Sequence, residues 1–307
     1  MLEHRTIDCE WLQGMGASDR VAELLGPRLR AAMDCRWLWY TELTLEFHCT
    51  FAEKNAVSFL LGWNLYEISI AEFGVALGFY TEREVRTDDF VNGLRGVYNY
   101  ARTNCLGPEE LARFWETIAT TPFLGTNLIS AVRDPIHRYI LKMLATTVVA
   151  RRSVENKANW LDLFALMCMV EKRNLNLANF FAWSCNRPRR GGKRAAMDLG
   201  PYISRLATNL GALTKYKFEQ MRETFPTTYW SIGDLESEGI LSSSDPPEWN
   251  FRQGAQVQTP AGVEAVNVLQ GAFPRPRQRH EITAPQHPPR QPGPNPFTHE
   301  AAYDLTR

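Results

Sequence analysis

The fold is decided by the stretch Asp134-Pro-Ile-His-Arg-Tyr-Ile-Leu-Lys-Met-Leu-Ala-Thr-Thr-Val148 and by the run Trp160-Leu-Asp-Leu-Phe-Ala-Leu-Met-Cys-Met-Val170 that follows it. In the first stretch, apolar residues recur at the spacing of one helix face. Asp134 can cap this helix, and Pro135 fits its first turn because the missing N–H of proline would be unpaired there. Arg138 and Lys142 fall on the opposite face. The second run is apolar almost all round, so we expect a buried helix packed against the first.

Further patterns of helical period lie on both sides of this centre. They predict helices near residues 21–29, 41–51, 69–78, 108–118, 175–183 and 203–213. Two β-rich runs around Gly62-Trp-Asn64 predict a hairpin near residues 57–70, and Ser69 and Glu72 have the spacing of a capping box. We therefore predict a mainly α fold, with a multi-helix globular domain, a small β-hairpin and a disordered Pro-rich C-terminal tail.

Composition divides the chain into three predicted parts. Residues 1–35 are moderately patterned and form an N-terminal extension, and residues 36–225 form the helical domain. From about Ser242 onward, the chain contains 11 of its 18 prolines and few aromatic residues. Such a composition does not bury enough apolar surface to fold. Residues 226–307 are therefore predicted to be a linker and a disordered tail.

Charge is balanced over the whole chain but not along it. The 34 basic and 34 acidic residues give no overall attraction to polyanions or membranes. Residues 1–132, however, contain 11 basic and 18 acidic residues, whereas residues 133–194 contain 13 basic and 4 acidic residues. No apolar run reaches the roughly 18 residues that a membrane-spanning helix needs, so we expect no membrane partner. The six cysteines have no paired spacing, and no secretory signal opens the chain, which favours a reducing compartment, the cytoplasm or the nucleus.

The sequence shows no pattern that predicts a catalytic or metal site. His48 and His137 each stand alone on a predicted helix, whereas a metal site needs converging ligands. Neither a zinc knuckle nor a glycine-rich phosphate loop occurs. The acidic pairs Asp88-Asp89 and Glu109-Glu110 are typical of solvated loops and helix starts. We therefore expect no enzymatic activity, no metal, no cofactor and no small-molecule ligand.

The strongest positive signal for function is the basic run Asn186-Arg-Pro-Arg-Arg-Gly-Gly-Lys-Arg194. Basic residues on a glycine-containing loop can follow a phosphate backbone, and the nearby Phe181 and Trp183 are able to stack on bases. The candidate contacts to RNA or DNA are Arg151, Arg152, Lys172, Arg173, Arg187, Arg189, Arg190, Lys193 and Arg194. The alternative is a solvated loop, or a basic surface that pairs with the acidic N-terminal part of the same or another copy.

Four segments, taken in order, resemble one protein family. They are Tyr40-Thr-Glu-Leu-Thr-Leu-Glu-Phe-His-Cys-Thr-Phe51, Leu65-Tyr-Glu-Ile-Ser-Ile-Ala-Glu-Phe-Gly-Val-Ala-Leu-Gly-Phe-Tyr80, Ile129-Ser-Ala-Val-Arg-Asp-Pro-Ile-His-Arg-Tyr139 and the helix at 161–170. Over about residues 36–215, the chain resembles the protein encoded by the first open reading frame of Athila-type plant retrotransposons, which are Ty3/Gypsy-like elements. The shared motifs are structural, and none is an active-site signature.

The resemblance implies a gag-side, non-enzymatic protein that self-associates and packages element RNA. Because the zinc knuckle is missing, RNA packaging would fall to the basic loop or to a separate protein. A second interpretation is a host-recruited adaptor or regulator derived from such an element, whose Pro-rich tail binds protein partners. A third is a hydrolase or nuclease that uses the acidic pairs and would need a pocket in which carboxylates converge.

Overall fold

A computed structural model describes residues 5–54, 56–96, 104–105, 107–149, 156–186, 199–212, 223–224 and 228–252. Helices dominate these ranges, and short strands form small sheets between them, so the predicted mainly α fold is confirmed. The predicted disordered tail falls mostly on residues 253–307, which lie outside the described ranges. None of the helices in the described ranges is long and apolar enough to cross a membrane.

Eleven α-helices occur in the described ranges. They are α1 (Cys9–Gly14), α2 (Ser18–Met33), α3 (Thr41–Thr50), α4 (Ile70–Ala76), α5 (Asp88–Gly93), α6 (Pro108–Ile118), α7 (Pro135–Thr146), α8 (Trp160–Val170), α9 (Leu177–Cys185), α10 (Gly200–Asn209) and α11 (Ile232–Ser237). Helix α2 is kinked at Gly26, whose φ of 63° and ψ of 175° are not helical. The kink lies where the sequence Gly26-Pro27 predicts a break.

The strands are short and form four small sheets in the described ranges. Antiparallel pairs join β1 (Trp39–Tyr40) to β9 (Glu223–Thr224) and β7 (Thr126–Leu128) to β8 (Lys157–Asn159), whereas β5 (Arg95–Gly96) and β6 (Asn104–Cys105) are parallel. The predicted hairpin is present as β3 (Val57–Leu61) and β4 (Asn64–Ile68), and β2 (Ala52–Glu53) adds a third strand beside β3. Strand β4 is therefore one edge of this sheet.

Helices α7 and α8 pack against each other at the centre of the fold, as their sequence predicts. The side chain of Asp134 caps α7 by accepting the backbone N–H of Ile136 at 2.9 Å, and Pro135 occupies the first turn. Asn159 and Asp162 form a capping box at the start of α8. All of α8 except Val170 at its C-terminal end is buried. A side-chain cap therefore fixes the first residue of each of the two core helices.

The second face of α7 is buried, which the helical period alone does not predict. Arg138 is 0% exposed and Lys142 is 1% exposed. The Nη1 atom of Arg138 donates to the carbonyl oxygen of Val132 at 2.7 Å, and its Nη2 atom donates to the carbonyl oxygen of Asn250. Burial lowers the pKa of Arg138 to about 10, so the guanidinium remains charged at neutral pH. Backbone carbonyl oxygens are the main hydrogen-bond acceptors for this guanidinium group.

Lys142 meets the same C-terminal part of the chain one helical turn further on. Its Nζ atom lies 3.1 Å from Oε1 of Glu238 and 4.0 Å from the centre of the Trp230 ring. A carboxylate and an aromatic face together offset the desolvation of a buried ammonium group. Residues 228–252 therefore cover a face of α7 that looks solvent-exposed when only the local sequence is considered.

Both ends of the described chain pack on α7. The Trp249 ring lies 5.5 Å from Trp11 and 6.3 Å from Tyr139, measured between ring centres, and its indole N–H donates to the carbonyl oxygen of Met15 at 3.0 Å. The packed part thus extends beyond the predicted domain of residues 36–225 in both directions. The predicted N-terminal extension and the start of the predicted linker contribute to the same core.

Candidate interaction surface

Two of the nine candidate nucleic-acid contacts lie in the described ranges, and both are in ion pairs. The Nζ atom of Lys172 lies 3.2 Å from Oε1 of Glu23 and also donates to the Glu23 carbonyl oxygen at 2.7 Å. Arg173 lies 2.8 Å from Glu110 and 2.7 Å from Glu171, and the hydrogen bond to Glu110 is the main cause of its raised pKa. These two cations pair with acidic residues of the same chain. The other seven, Arg151, Arg152, Arg187, Arg189, Arg190, Lys193 and Arg194, lie outside the described residues.

Lys172 and Arg173 line a cleft of about 580 Å³ between the α2 kink, residues 78–84 and the turn between α8 and α9. Across this cleft, Nη2 of Arg28 lies 2.6 Å from Oε1 of Glu84. The backbone N–H of Thr81 donates to the Glu84 carboxylate and, together with Arg28, lowers its pKa to about 2. At the rim, Lys172 thus pairs with Glu23 and Arg28 with Glu84, whereas Arg173 pairs with Glu110 and Glu171 outside the cleft lining.

The buried thiols and imidazoles of the described residues lie apart from one another in the fold. Burial raises the pKa of the Cys35 and Cys168 thiols to about 12, so both are protonated at neutral pH. His48 is buried on α3 beside Phe47, and burial lowers the pKa of His137 on α7. Within the described ranges, no three His, Cys, Asp or Glu side chains are grouped to hold a metal ion.

The hairpin tip between β3 and β4 presents a tryptophan to solvent. Gly62 and Trp63 have φ angles of 59° and 67°, which is the pattern of a two-residue type I′ turn. Glycine adopts this backbone region freely, but a bulky side chain there costs about 1–3 kcal/mol. The Trp63 side chain is nonetheless 90% exposed and gains almost no burial in return. The fold therefore maintains an exposed aromatic group at an energetic cost.

Helix α3 holds the tip in this conformation. The two carboxylate oxygens of Glu46 accept the backbone N–H groups of Gly62 at 2.7 Å and Trp63 at 2.8 Å. One turn further along α3, the hydroxyl oxygen of Thr50 accepts the backbone N–H of Leu60 at 2.8 Å. Helical period places Glu46 on the polar face of the helix predicted near 41–51. The local sequence does not indicate that Glu46 binds a turn 16 residues away.

The two faces of the hairpin differ sharply. The inner face contributes Val57, Phe59 and Leu61 to the core, and each of them is 0% exposed. On the outer face, Leu60 is paired with Leu65, which is 71% exposed and lies close to Trp63. Among the described residues, β4 has a strand partner on one side only. An open strand edge beside exposed apolar side chains is typical of a surface that binds another chain.

The sequence places Trp63 in the predicted hairpin turn but does not indicate that its side chain is exposed. The turn sequence Gly62-Trp63 does contain a signal of an unusual role. A two-residue hairpin turn favours Asn or Gly at the position that Trp63 occupies. Comparison of the chain with protein-family models, with curated proteins and with solved structures found no match. The proposed function therefore depends on the surface described above and on the sequence resemblance.

Proposed function

We propose that this protein is a non-enzymatic structural protein of a plant retrotransposon, with a gag-like capacity to self-associate in the cytoplasm or the nucleus. The observation that carries the proposal is the hairpin surface, where Trp63 and Leu65 are 90% and 71% exposed beside the open edge of β4. Proteins that stay monomeric generally shorten, charge or cover such edges. The resemblance of residues 36–215 to Athila-type proteins supports an origin in a plant retrotransposon.

The state of the titratable groups supports a non-enzymatic role. A cysteine nucleophile acts as a thiolate, but burial raises the pKa of Cys35 and Cys168 to about 12. The predicted acidic pairs lie in the first turns of α5 and α6. Negative charge in a first turn is stabilised by the helix dipole. Glu110 of the second pair is bound to Arg173. These groups therefore have structural explanations that require no reaction.

Contact with RNA or DNA is the second part of the proposal. Residues 133–194 contain 13 basic and 4 acidic residues. Since Arg138 and Lys142 are buried and Lys172 and Arg173 are in ion pairs, we assign the contact mainly to the other seven candidate residues. They are Arg151, Arg152, Arg187, Arg189, Arg190, Lys193 and Arg194. Phosphate contacts of this kind weaken steeply as salt increases.

Size-exclusion chromatography with light scattering, with and without RNA, tests both parts. The full chain should be used because residues outside 36–225, such as Trp11 and Trp249, pack on Tyr139 of α7. We expect a mass that rises with concentration in the absence of RNA, and a salt-sensitive shift when RNA is added. Replacing Arg187, Arg189 and Arg190 by Ala should abolish the RNA shift and leave the mass unchanged, whereas replacing Lys172 and Arg173 should change RNA binding little. A sharp monomer under every condition would contradict self-association and favour the adaptor.

A further inference from the structure

We propose that the outer edge of β4 pairs antiparallel with the same edge of a second copy, which joins two three-stranded sheets into one sheet of six strands. This inference rests on the proposed self-association and adds its surface and register. Both copies would use the same residues, so the contact is isologous and closes at two copies. Any further growth of the assembly would need another surface.

The backbone of β4 presents hydrogen-bonding groups at this edge. The two-residue turn is closed by the pair Leu61 and Asn64. Hydrogen-bonded and non-hydrogen-bonded pairs alternate along such a hairpin, so the N–H and C=O groups of Leu65 and Glu67 point away from β3. An extended backbone is the partner that satisfies alternating groups of this kind. A second β4 strand supplies the same groups at the same spacing.

The two-fold axis between the paired β4 strands can lie at Leu65, Tyr66 or Glu67. One of these three registers fits both the side chains and the available backbone donors. A two-fold axis at Glu67 would set two carboxylates against each other, which is unfavourable. An axis at Leu65 sets Trp63 opposite Glu67 of the second copy. Because Glu46 already binds the N–H of Trp63, two of the six bonds of that register do not form, and the carbonyl oxygen of Glu67 is left without a donor. An axis at Tyr66 sets Leu65 opposite Glu67 of the second copy and forms four backbone hydrogen bonds. The Tyr66 register therefore pairs every outward N–H and C=O group of Leu65 and Glu67 and sets no like charges directly opposite each other.

The same register also extends apolar contacts on both faces of the sheet. On the inner face, Tyr66 is half-buried against Phe59 at 5.7 Å between ring centres, and it would meet Tyr66 of the second copy. On the outer face, the two Leu65 side chains become diagonal neighbours within contact range. The exposed Trp63 next to each Leu65 enlarges this apolar strip. Side-chain burial and backbone pairing thus favour the same occupant, a second copy.

Proline substitution tests the role of the backbone edge. Leu65→Pro removes an outward N–H without removing a hydrogen bond between β3 and β4, since prolines are tolerated at sheet edges. Leu65→Val is the matched control because it keeps the N–H and an apolar side chain. In the full chain, we expect Leu65→Pro to halve the dimer mass measured by light scattering and Leu65→Val to keep the dimer. Far-ultraviolet circular dichroism checks that both variants remain folded.

Disulfide trapping tests the register directly. Leu65→Cys and Glu67→Cys lie at exposed positions, so neither substitution disturbs the core. In the Tyr66 register, position 65 faces position 67 with about 5.5 Å between Cα atoms, which a disulfide bridges. Two copies of position 65 lie on a diagonal at about 7–8 Å, beyond its usual reach. A mixture of the two variants should form a mixed disulfide dimer, whereas each variant alone should give only the wild-type background.

The outcomes separate this inference from the proposed function. A mixed disulfide together with a monomeric Leu65→Pro variant supports the Tyr66 register. Oligomers that persist in Leu65→Pro with no mixed disulfide would overturn the edge pairing and leave self-association standing. A wild-type chain that is monomeric at every concentration would overturn both. A disulfide in Leu65→Cys alone would replace this register with the one centred on Leu65.

Discussion

The carboxylate of Glu46 accepts a hydrogen bond from the backbone N–H of Trp63 at 2.8 Å, and its second oxygen accepts the N–H of Gly62 at 2.7 Å. One side chain on α3 thus satisfies both donors of a strained turn. The negative charge strengthens both bonds, because charge-assisted hydrogen bonds are roughly twice as strong as neutral ones. The position of the exposed tryptophan is therefore set by a helix that lies outside the hairpin.

Glu46→Gln should loosen the hairpin tip. An amide offers one acceptor oxygen and directs an NH₂ group at the other donor, so one N–H loses its partner. We expect the free energy of unfolding to fall by about 1–3 kcal/mol, as measured by chemical denaturation. Glu42→Gln, which changes an exposed glutamate on the same helix, should cost only a few tenths of a kcal/mol. Equal effects at the two positions would show that Glu46 does not hold the turn.

Trp63→Gly should stabilise the chain while weakening self-association. Glycine relieves the left-handed strain, which is about 1 kcal/mol or more for other residues, and little buried surface is lost because Trp63 is 90% exposed. Denaturation of dilute, monomeric protein measures the gain in the free energy of unfolding. Trp63→Ala keeps the strained backbone, so it should weaken association without this gain. A loss of stability in Trp63→Gly would mean that the side chain contributes to packing.

Glu238→Gln should destabilise the fold through Lys142, which is 1% exposed. The substitution removes the carboxylate 3.1 Å from a buried ammonium group, and we expect a loss of about 2 kcal/mol. Combining it with Lys142→Met should recover part of that loss, because the charge is then absent. A double-mutant cycle from denaturation curves gives the coupling energy between Glu238 and Lys142. Glu236→Gln, in the last turn of α11, is the control. Additive effects would contradict a direct interaction.

Gly74→Ala tests the close approach of α4 to α9. A Cβ atom at position 74 would lie 2.5 Å from Cδ2 of Tyr80 and 2.9 Å from Cβ of Ala178. Both neighbours are buried, so we expect a loss of about 1–3 kcal/mol in the free energy of unfolding. Gly233→Ala in α11 is the matched control, since a Cβ atom there would lie 4.0 Å from Oγ of Ser231. The control should instead gain about 0.5 kcal/mol from helix propensity.

Stability should fall between about pH 4.5 and pH 2 partly because of Glu84. Its pKa is lowered from 4.5 to about 2 in the folded chain by the N–H of Thr81 and by Arg28. A lowered folded-state pKa stabilises the fold above the unfolded value, and this contribution is lost as pH falls through the folded value. Denaturation of wild type and Glu84→Gln across this range should show a smaller acid-dependent loss in the variant. Parallel pH profiles would contradict the assignment.

Local sequence signals predict the elements that begin at a capping residue or surround a glycine-containing turn. Asp134-Pro135 marks the start of α7, and the hairpin at 57–70 follows its β-rich runs around a glycine. The burial of Arg138 and Lys142 was not predictable in this way, because the groups that cover them lie about a hundred positions later in the chain. Helical period identifies which residues share a face, but the partner of that face depends on long-range packing.

The candidate surface could be predicted only in part for the same reason. The sequence placed Trp63 in a turn and Glu46 on the polar face of a helix, but the hydrogen bond between them is a tertiary contact. Tryptophan is most often buried or partly buried, so the residue type alone does not indicate an exposed side chain at this position. For the basic residues, the sequence indicated the charge of Lys172 and Arg173 but not their acidic partners Glu23 and Glu110.

Sedimentation equilibrium of the full wild-type chain, without nucleic acid, tests the central claim of self-association most directly. Over a hundredfold range of concentration, the proposal predicts a weight-average mass that rises from 35.1 kDa toward about twice that value, as mass action requires for a reversible dimer. A mass that stays at 35.1 kDa over the whole range would contradict it.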